Sequence, residues 1–148
     1  MNFAFKLKYR FFNAFRELFV HHHGSLEFRA KVFALMIAAN DNPPEESYIL
    51  VKEMAMDIYN NDENRANLLM LNTKEIVEKV VTDNGLDIDK LVLHIQQELK
   101  IVPRYANKID MKLLKPLVLL TKDEETIDYQ ERILEFLSKL KNEYTENN

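Results

Sequence analysis

The chain of 148 residues has no Cys, no Trp, two Gly and four Pro. Without Cys there are no disulfides, thiolate zinc sites, iron–sulfur clusters or cysteine nucleophiles, and a reducing, cytoplasmic compartment is the matching expectation. Two glycines are too few for the turns of a β-sandwich or the phosphate loops of a βαβ fold. No phosphate loop, Gly-x-Ser-x-Gly elbow, His-Glu-x-x-His or Glu-x-x-His pair occurs, so the common nucleotide, hydrolase, zincin and di-iron templates lack their residues. The longest apolar run, Val32 to Ala39, is far short of a bilayer span. No stretch alternates long enough to demand a strand. Net charge is −4, which argues against a nucleic-acid clamp. These absences leave an all-α protein of one domain, for which a binding role is the expectation and a metal-dependent enzyme the alternative.

What is present is unevenly distributed. Residues 1–20 carry Lys6, Lys8, Arg10 and Arg16 against Glu17, a sum of +3, whereas the remaining 128 residues sum to −7. Six of the nine Phe fall at positions 3, 5, 11, 12, 15 and 19. At 100° per residue the spacing predicts a helix from about Phe3 to Val20, with Phe3, Phe5, Leu7, Phe11, Phe12, Phe15 and Phe19 on one arc of roughly 200°. Lys6, Arg10 and Arg16 lie on the other side. Basic charge beside a wide aromatic face suits a helix lying in a membrane interface. The same face would also serve to pack on the protein's own acidic body, to bind a protein partner, or to pair two copies as a homodimer. Lys6, Lys8, Arg10 and Arg16 break the apolar core that a secretory signal requires. His21-His22-His23 follow as a joint. Three consecutive imidazoles on one helix point in three directions, which suits a linker better than a metal site.

Residues 25–148 read as the folded domain, and residues 1–24 as the amphipathic head and its joint. Ser25 is placed to cap a helix running to Asn40, whose Val32–Ala39 segment is apolar all round and therefore central. Asn40-Asp41-Asn42-Pro43-Pro44 ends it, with Asn42 suited to a left-handed turn. A returning arm from Pro44 to Tyr59 follows. Further helices are expected over Glu63–Leu71, from an Asn72 cap to Thr82, over Ile88–Ile101 behind an Asp87 cap, and from Asn107 or Asp110 through a kink at Pro116. The last runs from Thr126 to Tyr144, with Ile133, Phe136, Leu137 and Leu140 inward.

A weak repeat emerges when Leu35 is laid over Leu117. Asp41 then meets Asp123, Glu46 meets Asp128, and Val51, Met54, Ala55 and Ile58 meet Ile133, Phe136, Leu137 and Leu140. Buried helix, acidic turn and amphipathic helix recur, which predicts two hairpins about a pseudo-twofold axis. The segments Ala38-Ala39-Asn40-Asp41-Asn42-Pro43-Pro44-Glu45-Glu46 and Leu119-Leu120-Thr121-Lys122-Asp123-Glu124-Glu125-Thr126-Ile127-Asp128 resemble the TerB-like domain of tellurite-resistance proteins and DjlA-type co-chaperones. Asn42 and Glu124 stand where that family's turns carry Gly. The resemblance implies a bundle of about seven or eight helices, without enzymatic activity. It also implies a tie to stress responses, to the inner surface of the membrane or to divalent metal.

The acidic turns supply the remaining candidate chemistry. Asp41, Glu45 and Glu46 open one arm, and Asp123 and Asp128 belong to the other. Brought together by the pseudo-twofold, these carboxylates would hold a hard divalent cation. Held apart, they would cap helix amides and favour the helix dipole. An EF-hand does not fit, because its twelfth positions would be Lys52 and Leu134.

Overall fold

The computed structural model describes residues 24–146. It is all-helical: α1 spans Gly24–Ala38, α2 Glu46–Ile58, α3 Glu63–Val81, α4 Ile88–Ile101, α5 Met111–Val118 and α6 Glu124–Glu146, with a 3-10 turn over Pro103–Lys108 between α4 and α5. There is no strand among the described residues.

Helix α1 forms the axis of the core. Every residue from Val32 to Ala39 is buried, joined by Leu26, Phe28 and Ala30. A helix apolar around its whole circumference needs neighbours on all sides. It finds them in α3, α4, α5, α6 and the 3-10 turn. Each large apolar side chain withdrawn from water contributes roughly 1.5–3 kcal/mol. The facing helices supply Leu68 and Leu69, Leu91, Ile95 and Leu99, Leu114, and Leu137, each at most 1% exposed. Ser25 lies inside α1 rather than before it.

Caps set most boundaries. Asp62, Asp87 and Asp110 each accept a hydrogen bond from a first-turn amide, those of Arg65 at 3.2 Å, Lys90 at 2.8 Å and Lys112 at 3.0 Å. Pro103 stops α4 and opens the 3-10 turn. Scarce glycine leaves the helix ends to other residues. Beyond α2, Asn60 and Asn61 take φ values of 54° and 67°, and beyond α3, Asp83 takes 53°. In both cases the chain reverses through a Schellman pair: Asn61 N–H donates to the Met56 carbonyl at 2.7 Å, and Asn84 N–H to that of Lys79 at 2.8 Å. Gly85, at φ 84°, continues the second reversal.

Four expectations need correction. Residues 63–81 form one helix, not two: Asn72 is buried at mid-helix instead of capping, and Thr73 bonds its hydroxyl to the Leu69 carbonyl at 2.7 Å within the continuing turn. With no Gly or Pro to interrupt the segment, a cap-like residue followed by Glu75 does not start a helix anew. Asn42 does not enter the left-handed region. Its N–H instead meets the Asn40 side-chain oxygen at 2.9 Å in an Asx turn. The two hairpins are also unequal. Helix α2 packs chiefly on α3, whereas α5 packs on α6. Finally, α5 is a short amphipathic helix that buries Leu114, Leu117 and Val118 while Leu119 is 82% exposed. Pro116 lies within α5, and the helix ends two residues beyond it.

Helix α6 is tied to the axis by a polar contact as well as by Ile133, Leu137 and Leu140. Gln130, 3% exposed, donates its side-chain amide to the Met36 carbonyl at 3.0 Å. That carbonyl lies in the last turn of α1, where no intrahelical donor remains.

Candidate functional site

The acidic turns are local structures. At the second, Asp123 Oδ2 accepts the Thr126 amide at 3.1 Å and the Thr126 hydroxyl at 2.6 Å, which makes it the cap of α6. Asp128 pairs with Arg132 at 3.1 Å, one turn along the same helix. At the first, Glu45 pairs with Lys74 of α3 at 3.6 Å, and Asp41 and Glu46 are exposed. No three of Asp41, Glu45, Glu46, Asp123 and Asp128 are assembled into a metal-holding group, and no such group exists among the described residues.

The membrane- or partner-binding candidates Phe3, Phe5, Lys6, Leu7, Arg10, Phe11, Phe12, Phe15, Arg16 and Phe19, with His21 to His23, lie outside the described residues. His94 is exposed on α4. It lines a pocket of about 440 Å³ together with Glu27, Lys31, Glu75 and Lys79, a wall of mixed sign. Lys31 there pairs with Glu98 at 2.9 Å and so links α1 to α4.

A second pocket, of about 300 Å³, has a different character. Gly24 and Ser25 from the start of α1 and Arg104, Tyr105, Asn107 and Lys108 from the 3-10 turn line it, with no carboxylate among them. The turn is held against the core by Ala106 and Ile109, both fully buried. Its Tyr105 ring packs on Phe28 with centroids 5.3 Å apart. Gly24 permits this arrangement, since a Cβ there would stand 2.6 Å from the Tyr105 hydroxyl. The guanidinium of Arg104 lies 5.6 Å from the centre of the Tyr105 ring.

Several cations stand outside the ion pairs, and two of them line this pocket. The ion pairs among the described residues engage Lys31, Lys52, Arg65, Lys74, Lys79, Arg132 and Lys139. Arg29, Lys90, Lys100, Arg104, Lys108, Lys112, Lys115, Lys122 and Lys141 take part in none of them. Arg29 instead lies over Tyr59, 5.9 Å from the ring centre, with Arg65 at the same distance from that ring. Burial lowers the Lys108 pKa, and the nearby charges of Arg29 and Arg104 lower it further. Lys108 is thus repelled by two neighbouring cations, Arg29 and Arg104, within an acidic body. Sequence reasoning did not identify them, because Arg29 and Arg104 are far apart in the chain and neither belongs to a basic run.

Elsewhere the perturbed groups are phenols. Tyr48, 6% exposed, is pushed up to about 12 by burial, with Glu78 and Glu45 adding to the effect. Tyr59 is raised by burial, against the opposing pull of Arg29 and Arg65. No family model, curated protein or solved structure matches the chain. No helix among the described residues is long and apolar enough to cross a membrane.

Proposed function

We propose that the chain is a non-catalytic, TerB-like binding module. It works at an anionic membrane surface on the cytoplasmic side and attaches through the amphipathic segment 1–20. The observation that carries this reading is the location of two cations that stand outside the ion pairs. Arg104 and Lys108 share a pocket with Gly24 and Ser25, the residues through which the head segment joins the bundle. Arg104 and Lys108 therefore stand at the end of α1 that the aromatic segment precedes in the sequence. Each Lys or Arg near an anionic bilayer contributes about 1 kcal/mol, and partial burial of several Phe adds an apolar contribution. The fully apolar α1, followed by an acidic turn and an amphipathic helix, supports the TerB-like part of the reading.

Flotation with anionic vesicles tests it. The intact chain floats, and a chain lacking residues 1–20 stays at the bottom of the gradient. Neutral vesicles retain much less of either. Equal flotation of the two chains on anionic vesicles overturns the membrane role. If the mass measured by light scattering then doubles only for the intact chain, the homodimer reading takes its place.

A further inference from the structure

We propose that the pocket between the start of α1 and the 3-10 turn is a phosphate-recognition site, with Arg104 and Lys108 as its charged ligands. The proposal rests on the membrane reading only for the source of the phosphate, a lipid headgroup. Recognition of the group itself rests on the geometry.

The donor set is of one kind. Arg104 and Lys108 offer only N–H donors, and Ser25, Tyr105 and Asn107 add two hydroxyls and an amide to the same wall. Among the described residues, no carboxylate lines the pocket beside these cations. A guanidinium and an ammonium together suit a tetrahedral anion, the first by its planar fork and the second as a point charge. A volume of about 300 Å³ lies at the small end of ligand sites, roughly 300–1,000 Å³, so the pocket takes a compact group rather than a helix or strand. The Tyr105 ring packs on Phe28, and its hydroxyl lies beside Gly24 in the lining of the pocket. Lys108 is already half-withdrawn from water and repelled by Arg29 and Arg104. A bound anion would relieve that repulsion.

The test uses the full chain. Sodium phosphate is titrated in against sodium acetate at matched ionic strength, and the amide resonances of Tyr105, Asn107 and Lys108 are followed. Phosphate should give saturable shifts that acetate does not. Arg104→Gln combined with Lys108→Gln should weaken phosphate binding at least about tenfold, while Lys139→Gln leaves it unchanged. Unaltered resonances from α2 and α3 show that the double variant is folded.

A second arm compares vesicles carrying phosphatidic acid, with its terminal phosphate, against phosphatidylserine at equal charge. A preference for phosphatidic acid that the double variant loses identifies a lipid source. If the titration is lost but vesicle preference is unchanged, the site holds and its ligand is a free phosphate. If phosphate and acetate shift the resonances alike, or the double variant titrates like the wild type, the proposal is wrong. Failure of the intact chain to float, with the phosphate titration preserved, overturns the membrane reading alone.

Discussion

Gln130 is the most direct probe of how α6 is bound to the axis of the bundle. Its side-chain amide meets the Met36 carbonyl at 3.0 Å, and both residues are shielded, at 3% and 0% exposure. Gln130→Glu keeps the shape and removes the donor. An ionised carboxylate would face a carbonyl oxygen, leaving a buried charge without a partner and the Met36 oxygen unpaired. The unpaired oxygen alone costs about 1–3 kcal/mol. The charge is avoidable, because the new carboxyl can keep its proton and donate it to Met36. Holding that proton at pH 7, against an unfolded-state pKa of about 4.3, costs about 3.7 kcal/mol at 1.36 kcal/mol per unit. That figure sets a ceiling near 4 kcal/mol on the loss at pH 7.

The pH dependence follows from the raised folded-state pKa. Above about pH 4.3 the native form of the variant binds more protons than the unfolded form, so stability falls as pH rises. Below it, the variant should lie within about 1 kcal/mol of the wild type. Gln130→Met, which can neither donate nor ionise, should lose about 1–3 kcal/mol independently of pH. Urea unfolding of the three chains from pH 4 to pH 8 separates these outcomes. A Gln130→Glu variant with the same deficit at pH 4 and pH 7 would refute the donor role.

Two further predictions concern the acidic turn and the buried phenol. Asp123→Ala should cost about 1 kcal/mol through loss of the α6 cap, whereas Asp123→Asn should stay within a few tenths in denaturant unfolding. If Asn is as damaging as Ala, charge rather than capping is what matters there. Tyr48, held at about 12, keeps its proton in the folded chain after the unfolded chain releases it near pH 10. Stability should therefore fall as pH rises from 10 towards 12, by up to about 1.4 kcal/mol per unit. Tyr48→Phe should remove that part of the slope, as read by denaturant midpoints across the window.

Local chemistry was legible in the sequence where one residue type decides the outcome. Asp87 and Asp110 are caps because a short carboxylate before an apolar-periodic segment has amides to accept. Pro103 ends α4 because a ring nitrogen cannot donate. The Val32–Ala39 run had to be central because no surface helix exposes such a circumference. Failures arose where tertiary context overrides a local motif. Asn72 looks like a cap, but continuous helix on both sides and a buried face absorb it. Leu119 looks like core, yet α5 ends before it, at Val118, and leaves it in water.

The contacts that matter most between elements left no local trace. Gln130 lies 94 residues from Met36, and neither residue advertises its partner. The basic pocket combines the first residues of α1 with a 3-10 turn whose Arg104 and Lys108 sit among neutral neighbours. The two acidic turns assemble no metal-holding group among the described residues, since sequence repeats do not guarantee equal packing. Asp123 caps its own helix start, Asp128 pairs with Arg132, and Glu45 pairs with Lys74.

The order in which the chain is made gives the buried axis a different significance. Helix α1 is the first described element to leave the ribosome, and among its covers α6 comes last. Until synthesis reaches Gln130 and Leu137, part of a helix apolar on every side has no partner. A nascent chain in that state presents the sort of surface that chaperones hold and that aggregation exploits. Truncations within α6 should therefore reduce yield more steeply than their length suggests, because they prolong that exposure indefinitely.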